Sequence, residues 1–471
     1  MNTKYDDIII GFGKGGKTIA GALEKSGRKV ALIEKSAKMY GGTCINVGCI
    51  PTKSLVHSAG AAASGCIEKS IAYANAVVRK TQLVEKLRLK NYKKLDTNPN
   101  ITIIDGTARF ISDHKVEVQR ADGVLVLESD RFFINTGSSP FIPPIQGIQG
   151  NPYVYVSESL LDMETLPERL VIIGGGYIGV EFASIYADFG VDVTILQDGS
   201  VFLPREDTEI ADMVRQNLDH RGARVLTEVQ VQEIKQKEGF AEVVIKTKDD
   251  IEILPAEAVL VATGRRPNTK ELNLEAAGVH VNERGGIITD NSRTTTAPNI
   301  FAMGDVTGGL QFTYISLDDY RIVASKVLGD GSYTLDKRGA VPYSVFLNPP
   351  FSRVGMSEKE AVEAGYRVKT VKLPAAAIPK AQVLEQPDGL LKAVLDADTN
   401  KILGAHLFCE ESHELINLIK MAMDAELAKL WRTTPKILDR QAYRFGKTDY
   451  RPGVGIGDAT HSTRILRLCS A

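Results

Sequence analysis

The stretch DIIIGFGKGG, residues 7–16, places an apolar run directly before the glycines Gly11, Gly13 and Gly16. The apolar run predicts a buried strand, and the residues that follow, to about Ser26, predict a helix. The first glycine allows a tight turn, the second lets a pyrophosphate approach the backbone, and the third lets helix and strand pack closely. The N–H groups at the start of the helix then face the phosphates. The stretch therefore predicts the βαβ unit of a dinucleotide-binding domain.

The same pattern occurs a second time about 163 residues later, in LVIIGGGYIG, residues 170–179. Its three glycines in the corresponding places are Gly174, Gly176 and Gly179. One such motif is a weak signal, but both copies have a strand before, a helix after and a polar residue at the end of the next strand. The alternative is a pair of glycine-rich turns that bind no ligand. Two sites of this kind predict two bound dinucleotides.

The residue that ends the second strand of each unit indicates which nucleotide it binds. Glu34 ends that strand in the first unit, where a carboxylate can bond a ribose 2′-OH, as FAD requires. Lys35 beside it is a further candidate cofactor contact. Gln197 stands in the second unit, and no Arg or Lys follows until Arg205, so the basic clamp expected for NADP is missing nearby. We expect NADH there, with NADPH as the open alternative.

Three later segments each combine an apolar strand with a turn that could contact a cofactor. RFFINTGSSP (131–140) and AVLVATGRRP (258–267) run into threonine-glycine turns, and NIFAMGD (299–305) runs into Gly-Asp. An aspartate there can accept hydrogen bonds from a sugar-like chain, although a turn or helix cap is an equal alternative. The candidate cofactor residues from these segments are Thr136, Gly137, Gly264, Gly304 and Asp305.

Cys44 and Cys49 form a C-x4-C pair about ten residues after Glu34, hence near the flavin if the first unit binds FAD. Four intervening residues can form one helical turn, which brings two Cα atoms within the roughly 4.4–6.8 Å that a disulfide needs. Gly42 and Thr43 precede the pair as candidate cofactor contacts. Lys53 is a candidate cation that would lower a thiol pKa. A structural zinc site is the alternative, but it needs four ligands and no second Cys/His pair is close.

Bulk composition limits the classes of function. The chain has 471 residues, a net charge of -1, five cysteines and no apolar run of about 18 residues. We therefore expect no nucleic-acid partner and no membrane partner, and an odd cysteine count does not suggest a disulfide scaffold. The N-terminus lacks a basic segment followed by an apolar one, which predicts a cytoplasmic protein.

The motifs together resemble one enzyme family. GGTCINVGCIPTK (41–53), GGGYIGVEFAS (174–184), VATGRRPN (261–268) and MGDVTGG (303–309) resemble the class I pyridine nucleotide–disulfide oxidoreductases, in the right order over roughly nine-tenths of the chain. That family includes dihydrolipoamide dehydrogenase, glutathione reductase and mercuric reductase. More narrowly, five segments resemble its reactive-chlorine-resistance branch of NADH-dependent copper(II) reductases: GFGKGGKT (11–18), the stretch 39–57, FLPRED (202–207), the stretch 303–323 and PYSVF (342–346).

The resemblance implies a fold class and a role for matching residues. The fold class is α/β, with two Rossmann-like domains for FAD and NAD(P)H and a C-terminal α+β dimerisation domain. Cys49 would be the thiol against the flavin and Cys44 the exchange thiol. Lys53 would pair with Glu181, which from the sequence alone is a solvated helix glutamate. Tyr177 would be the gate over the nicotinamide, and Asp305 would bond the FAD chain.

The expected domains follow the motifs along the chain. From about residue 341, short alternating strands lead to a helix near residues 413–423. We expect the first part of the FAD domain at 1–150, the NAD(P)H domain at 151–270, a central FAD part at 271–340, an interface domain at 341–427 and an atypical tail at 428–471. The implied assembly is a homodimer.

The tail departs from the family pattern. Members of the family usually end with a His-Pro-Thr…Glu motif that acts across the dimer interface, and it is not found here. Residues 428–471 contain nine Lys/Arg against three Asp/Glu. His461 lacks the matching carboxylate, since Leu466 stands in that place, and Cys469 is a single cysteine near the end. We interpret the tail as a divergent or frame-shifted terminus that replaces the usual interface element and disfavours exchange with large organic disulfides.

The leading prediction is an enzyme that passes electrons from NADH through FAD to the Cys44–Cys49 disulfide. The final acceptor would be a metal ion such as copper(II), held transiently by the two cysteines, or a small oxidant. A dihydrolipoamide dehydrogenase or another organic-disulfide reductase is the enzymatic alternative. A redox-sensing flavoprotein with little turnover is the alternative of another class.

Overall fold

The structure is a computed structural model that describes residues 3–63, 65, 67–248 and 250–426. The predictions for the tail from residue 428, including His461 and Cys469, lie outside the described residues, as does Cys66. The described part is a mixed α/β protein built on a first sheet with parallel and antiparallel strands, a second sheet that is parallel and a C-terminal antiparallel sheet. None of its helices is long and apolar enough to cross a membrane.

The first sheet has seven strands, and the apolar run at residues 7–10 lies in one of its interior strands. Its parallel strands are buried on both faces, by helices on one face and by antiparallel strands and 3-10 helices on the other, which explains their continuous rather than alternating apolar pattern. In spatial order the strands are Ile101–Asp105, Val30–Glu34, Lys4–Ile10, Gly123–Ile134, Lys115–Arg120 and Thr107–Ser112, with Ile300–Ala302 paired to Gly123–Ile134. The helices of this part are Lys14–Lys25, Thr43–Asn46, Cys49–Ala63, Lys69–Asp96 and Thr313–Leu328.

The second sheet repeats the parallel βαβ start with five strands. In spatial order these are Ala223–Leu226, Asp192–Leu196, Arg169–Ile173, Ala258–Val261 and Val154–Val156. Its helices are Ser157–Leu160, Tyr177–Asp188 and Thr208–His220. A three-stranded antiparallel sheet, which the sequence analysis did not predict, follows with Gln230–Gln236, Ala241–Lys246 and Ile251–Ala256. A two-stranded ribbon of Ser138–Pro140 and Arg265–Pro267 joins the two parts.

The C-terminal sheet is antiparallel and carries one long helix. In spatial order its strands are Tyr343–Val345, Phe351–Gly355, Ile402–Phe408, Leu390–Asp396 and Val368–Pro374. The strand Phe351–Gly355 was not predicted. The α-helices are Glu358–Glu363, Pro379–Val383 and Ser412–Asp424. Short 3-10 helices elsewhere in the described chain are Ala37–Met39, Lys270–Leu272, Leu274–Ala277, Gly304–Thr307, Leu335–Lys337 and Ala375–Ala377.

A cavity of about 4300 Å³ lies where the three parts meet. Both glycine turns, the cysteine pair and the first strand of the C-terminal sheet line it. The carboxyl ends of the parallel strands open toward this cavity, the usual place for ligands in open α/β sheets. The fold therefore brings the predicted nucleotide turns and the cysteine pair to one site.

Candidate functional site

The first glycine turn is closely packed around Asn135. Gly11 has a φ of +104°, and a Cβ there would collide with the Asn135 carbonyl. The Gly16 N–H donates to Asn135 Oδ1 at 2.8 Å, and a Cβ on Gly16 would collide with the Gly11 carbonyl. Glu34 accepts a hydrogen bond from the Phe12 N–H at 2.9 Å. The carboxylate is thus held at the turn, although burial raises its pKa.

The second glycine turn has the same construction. Gly174 has a φ of +110°, and a Cβ there would lie 2.5 Å from the Ala262 carbonyl oxygen. Gln197 Oε1 accepts from the Gly175 N–H at 3.1 Å, as Glu34 does from Phe12. Gln197 Nε2 in turn donates to Asp198 Oδ1 at 3.0 Å. A carboxylate, and not a cation, therefore stands next to Gln197.

Three predicted cofactor glycines do not line the cavity. Gly16 and Gly179 each lie against the carbonyl of the first glycine of their own turn, and Gly304 lies against the Ser316 hydroxyl. Each permits close packing, which is the function of the third glycine in such a turn. The other predicted residues line the cavity: Gly11, Gly13, Glu34, Lys35, Gly42, Thr43, Cys44, Cys49, Lys53, Thr136, Gly137, Gly174, Gly176, Tyr177, Glu181, Gln197, Gly264 and Asp305.

The residues that line the cavity near the first glycine turn provide the polar groups that FAD needs. Glu34 offers a carboxylate for a ribose, and Gly13 precedes a helix whose start carries no side-chain cap and no acidic residue. Asp305 lies further along, where it accepts from the Ser138 hydroxyl at 2.8 Å and burial raises its pKa. Lys35 is at the exposed rim, 3.3 Å from Glu271. Glu34, Gly13 and Asp305 therefore fit a bound dinucleotide. The Lys35 side chain, in contrast, is 59% exposed.

Cys44 and Cys49 are both free thiols, on two different helices. Cys44 lies in the short helix Thr43–Asn46 and Cys49 begins the helix Cys49–Ala63. The predicted single helical turn is therefore wrong, because residues 47 and 48 break it. Gly42, with a φ of +83°, packs against Gly13, where a Cβ would lie 2.7 Å from the Gly13 Cα. Through this contact, the segment just before Cys44 packs against the first glycine turn.

The two thiols have opposite acidities. A hydrogen bond from Cys44 lowers the pKa of Cys49 to about 6, helped by Thr313 and Lys53 and opposed by burial. The Thr313 hydroxyl lies 3.5 Å from the Cys49 sulfur. The hydrogen bond to Cys49 and burial raise the pKa of Cys44 well above its ordinary value. Near neutral pH the pair is therefore a Cys49 thiolate that accepts from a Cys44 thiol.

Lys53 and Glu181 form an ion pair next to the cysteines. Lys53 Nζ lies 3.1 Å from Glu181 Oε1, and the Phe346 N–H donates to the same oxygen at 2.9 Å. The Lys53 ammonium also lies 4.1 Å from the centre of the Phe346 ring. The Glu181 side chain is 14% exposed, so the alternative of a solvated helix glutamate is wrong.

Tyr177 stands at the start of the second-unit helix with its hydroxyl bound to Glu206. Its ring centre lies 5.7 Å from that of Tyr343 and 6.5 Å from that of Phe312. Burial and the Glu206 charge raise the Tyr177 pKa, so this side chain stays a neutral hydrogen-bond donor.

Sequence reasoning missed several residues of this site. Thr313 contacts Cys49, and Phe312, Glu206 and Tyr343 surround Tyr177. Asn135 joins the first glycine turn to residues 303 and 316 through its amide. The stretch 303–323, FLPRED and PYSVF contain four of these residues, so the motifs marked their segments but not their roles.

Comparison with known proteins decides the family. The family model described as pyridine nucleotide-disulphide oxidoreductase matches residues 5–319, and the model of its dimerisation domain matches residues 341–434. The chain belongs to the pyridine nucleotide–disulphide oxidoreductase family. The predicted fold class and the predicted enzyme class are thereby confirmed, and FAD and NAD(P)H are the cofactors of this family.

Individual relatives are similar over almost the whole enzyme. This chain is 51% identical over 424 residues to the probable pyridine nucleotide-disulfide oxidoreductase RclA of Escherichia coli, and the match covers 90% of this chain and 93% of RclA. It is 34% identical to a mercuric reductase of Staphylococcus aureus, covering 89% and 77%. The structure matches the Cu(II) complex of the HOCl-induced flavoprotein disulfide reductase RclA with a TM-score of 0.85 and 50% identity, covering 90% and 94%.

Proposed function

We propose that this oxidoreductase passes electrons from NADH to a metal ion such as copper(II), or to a small oxidant, in defence against oxidative stress. The observation that carries the proposal is the thiol pair, with Cys49 as thiolate, on the wall of the cavity that both glycine turns line. FAD bound in the first unit would supply the chemistry that takes hydride from NADH and reduces the disulfide. The chain's own residues bind, orient and move the protons.

We assign different roles to the two cysteines. Cys49 is the thiol that faces the flavin, because its pKa is lowered and it is hydrogen-bonded by Thr313. Cys44 is the exchange thiol that meets the acceptor. Reduction opens the Cys44–Cys49 disulfide to one thiol and one thiolate; oxidation by two copper(II) ions yields two copper(I) ions, closes the disulfide and releases the thiol proton. Both sulfurs are soft ligands suited to holding the ion transiently.

Further roles follow from the contacts. Lys53 supplies positive charge near the thiolate, and Glu181 fixes its position through the 3.1 Å ion pair. Tyr177 covers the nicotinamide side, and Asp305 bonds the FAD chain. We assign the remaining cavity-lining candidates to cofactor contact and the packed glycines Gly16, Gly179 and Gly304 to the shape of the turns.

We propose NADH as the electron donor. Gln197 can bond a ribose hydroxyl, and Asp198 directly after it would repel the 2′-phosphate of NADPH. Arg205 is the first cation after Gln197, and its side chain is exposed. The local charge therefore favours the unphosphorylated nucleotide.

The choice of acceptor rests on the relatives and on chemistry. The HOCl-induced RclA is seen in a Cu(II) complex, and the other relative named above is a mercuric reductase, so metal ions are associated with both relatives. A small ion can meet two adjacent thiols without a large binding surface. Exchange with a bulky disulfide would need an acid–base group, and the His-Pro-Thr…Glu motif that supplies it in the family is not found in residues 428–471.

We also propose a cytoplasmic homodimer with the domain division predicted above. A dimerisation domain is matched at residues 341–434, which supports pairing of two copies. A reducing compartment suits a catalytic cysteine pair, because structural disulfides are rare there.

An acceptor panel tests the function. Purified enzyme with FAD is mixed with NADH or NADPH under anaerobic conditions, and nucleotide oxidation is followed with copper(II), lipoamide or oxidised glutathione. We expect NADH to be oxidised fastest with copper(II). Fast turnover of lipoamide would favour the organic-disulfide alternative, and cysteines that NADH does not reduce would favour a sensor.

A further inference from the structure

Two segments marked by the sequence analysis have no role so far, and they meet at one carboxylate. FLPRED supplies Glu206 and PYSVF supplies Tyr343. The Tyr343 hydroxyl donates to Glu206 Oε1 at 2.7 Å, and the Tyr177 hydroxyl donates to the same oxygen. The two hydroxyls lie 3.2 Å apart. One carboxylate oxygen therefore joins the two tyrosines.

The Glu206 carboxylate depends on these tyrosines for its hydrogen bonds. Its side chain is 0% exposed, and Oε2 has no hydrogen-bond partner in the described part of the chain. The nearest charge is Arg353, whose Nη1 lies 3.6 Å from Oε2. Arg353 is itself held by the Gly355 carbonyl, the Glu360 carboxylate and the Arg205 carbonyl. A buried charge that loses a donor is costly, so the geometry resists opening.

Ring contacts fix the same arrangement from the other side. Phe312 and Tyr343 stack with their centres 5.1 Å apart, and the Tyr177 ring packs against both. Tyr177 belongs to the second nucleotide unit, whereas Tyr343 begins the C-terminal sheet. The contact thus ties the nucleotide unit to the dimerisation domain.

We propose that Glu206 and Tyr343 are positioning residues that form a latch on Tyr177 and regulate access of the nicotinamide. The proposal rests on the proposed function, in which Tyr177 covers the nicotinamide side of the flavin. When the nucleotide enters, Tyr177 moves and gives up its bond to Glu206. Part of the nucleotide's binding energy is therefore used to open the latch, which weakens the observed affinity.

Weakening the latch should therefore tighten nucleotide binding. Tyr343→Phe keeps the stacked ring but leaves Tyr177 as the remaining hydroxyl donor to Glu206 Oε1, so it should strengthen the latch. Glu206→Gln keeps the shape and removes the charge that strengthens both hydrogen bonds. We expect the apparent Kd for NADH to rise about threefold in the first variant and to fall about tenfold in the second, values in the range of one hydrogen bond.

Stopped-flow reduction of the holoenzyme by NADH, with no acceptor present, gives the Kd and the limiting rate separately. Tyr333→Phe is the matched control, because the Tyr333 hydroxyl also bonds a carboxylate, Asp318 at 3.0 Å, away from the cavity. We expect this control to stay within twofold of the parent enzyme. A Kd that is unchanged or higher in Glu206→Gln, or unchanged or lower in Tyr343→Phe, would overturn the proposal, since a merely structural role lowers folding or FAD content without tightening NADH binding.

Hydrogen exchange separates failure of the latch from failure of the proposed function. Without any nucleotide, peptides that cover residues 202–207 and 342–346 should exchange faster in Glu206→Gln than in the parent enzyme, and not in Tyr333→Phe. Unchanged exchange refutes the latch even if NADH reduces the flavin normally. Faster exchange in an enzyme that NADH does not reduce keeps the latch and rejects the nicotinamide role.

Discussion

Thr313→Val tests what makes Cys49 a thiolate. Valine has nearly the same shape as threonine but lacks the hydroxyl, which lies 3.5 Å from the Cys49 sulfur. In the parent enzyme the pKa of Cys49 is lowered to about 6, first by the hydrogen bond from Cys44 and then, against burial, by Thr313 and Lys53. The substitution removes one of these favourable contacts and leaves the other two in place.

The expected shift can be worked from that contact. A hydrogen bond to a charged group contributes about 1.5 to 3 kcal/mol, and this contact is long, so we take the lower end. One pKa unit corresponds to about 1.4 kcal/mol. Because the lost bond stabilised the thiolate, the pKa of Cys49 should rise by about one unit, from about 6 to about 7.

The assay is a pH titration of the two-electron-reduced enzyme, followed by the long-wavelength absorbance of a thiolate beside the flavin. The band should be present above the pKa and disappear as the pH falls through it, at about one pH unit higher in Thr313→Val. Thr52→Val is the matched control, because the Thr52 hydroxyl bonds the Gly48 and Cys49 carbonyls and not the sulfur. An unchanged midpoint in Thr313→Val, or the same shift in both variants, would refute the reasoning.

Four other substitutions test three separate parts of the site. Cys49→Ser should abolish the long-wavelength band and Cys44→Ser should retain it, as absorbance spectra of the reduced variants would show. Asp198→Arg should lower the KM for NADPH at least tenfold in steady-state assays, because a cation replaces a carboxylate near the ribose. Gly16→Ala should reduce FAD occupancy and thermal stability, measured by flavin absorbance and melting, because a Cβ there collides with the Gly11 carbonyl.

Each of these has a result that contradicts it. Equal loss of the band in both cysteine variants would overturn the division of roles between Cys44 and Cys49. An unchanged NADPH preference in Asp198→Arg would mean that the ribose lies elsewhere. Full FAD content and unchanged melting in Gly16→Ala, with Gly21→Ala as a control that has open space, would show that the turn adapts.

Local sequence patterns predicted the nucleotide units because the pattern and the structure are both local. The strand predicted to end at Glu34 is Val30–Glu34, and the helix predicted to run to about Ser26 is Lys14–Lys25. Each glycine at positive φ or in close backbone contact marks a place that a side chain could not occupy. Residues within such units can be identified from one stretch of chain.

The contacts that tune the site join distant parts of the chain and could not be predicted in that way. Cys49 and Thr313 are 264 residues apart, and Tyr177 and Tyr343 are 166 residues apart. No periodicity connects such pairs; only the packing of the three parts brings them together. The resemblance to a family predicted the Lys53–Glu181 pair, which the residues alone would have left as a solvated glutamate.

The strand Phe351–Gly355 was missed for a different reason. Four of its five residues are buried, including Ser352 and Arg353, so it has none of the alternation that marks a strand with one face in solvent. The buried Arg353 is paired with Glu206 and Glu360. Because these two buried residues are polar, the sequence pattern did not indicate this interior strand of the C-terminal sheet.

The central claim is that electrons leave through the cysteine pair to a small acceptor such as copper(II). The most direct measurement is the anaerobic rate of NADH oxidation with copper(II), compared with lipoamide, in the parent enzyme and in Cys44→Ser. We predict fast copper(II)-dependent oxidation, with two copper(I) formed per NADH, that Cys44→Ser abolishes while NADH still reduces the flavin. Copper(II) turnover that survives Cys44→Ser, or faster turnover with lipoamide than with copper(II), would contradict it.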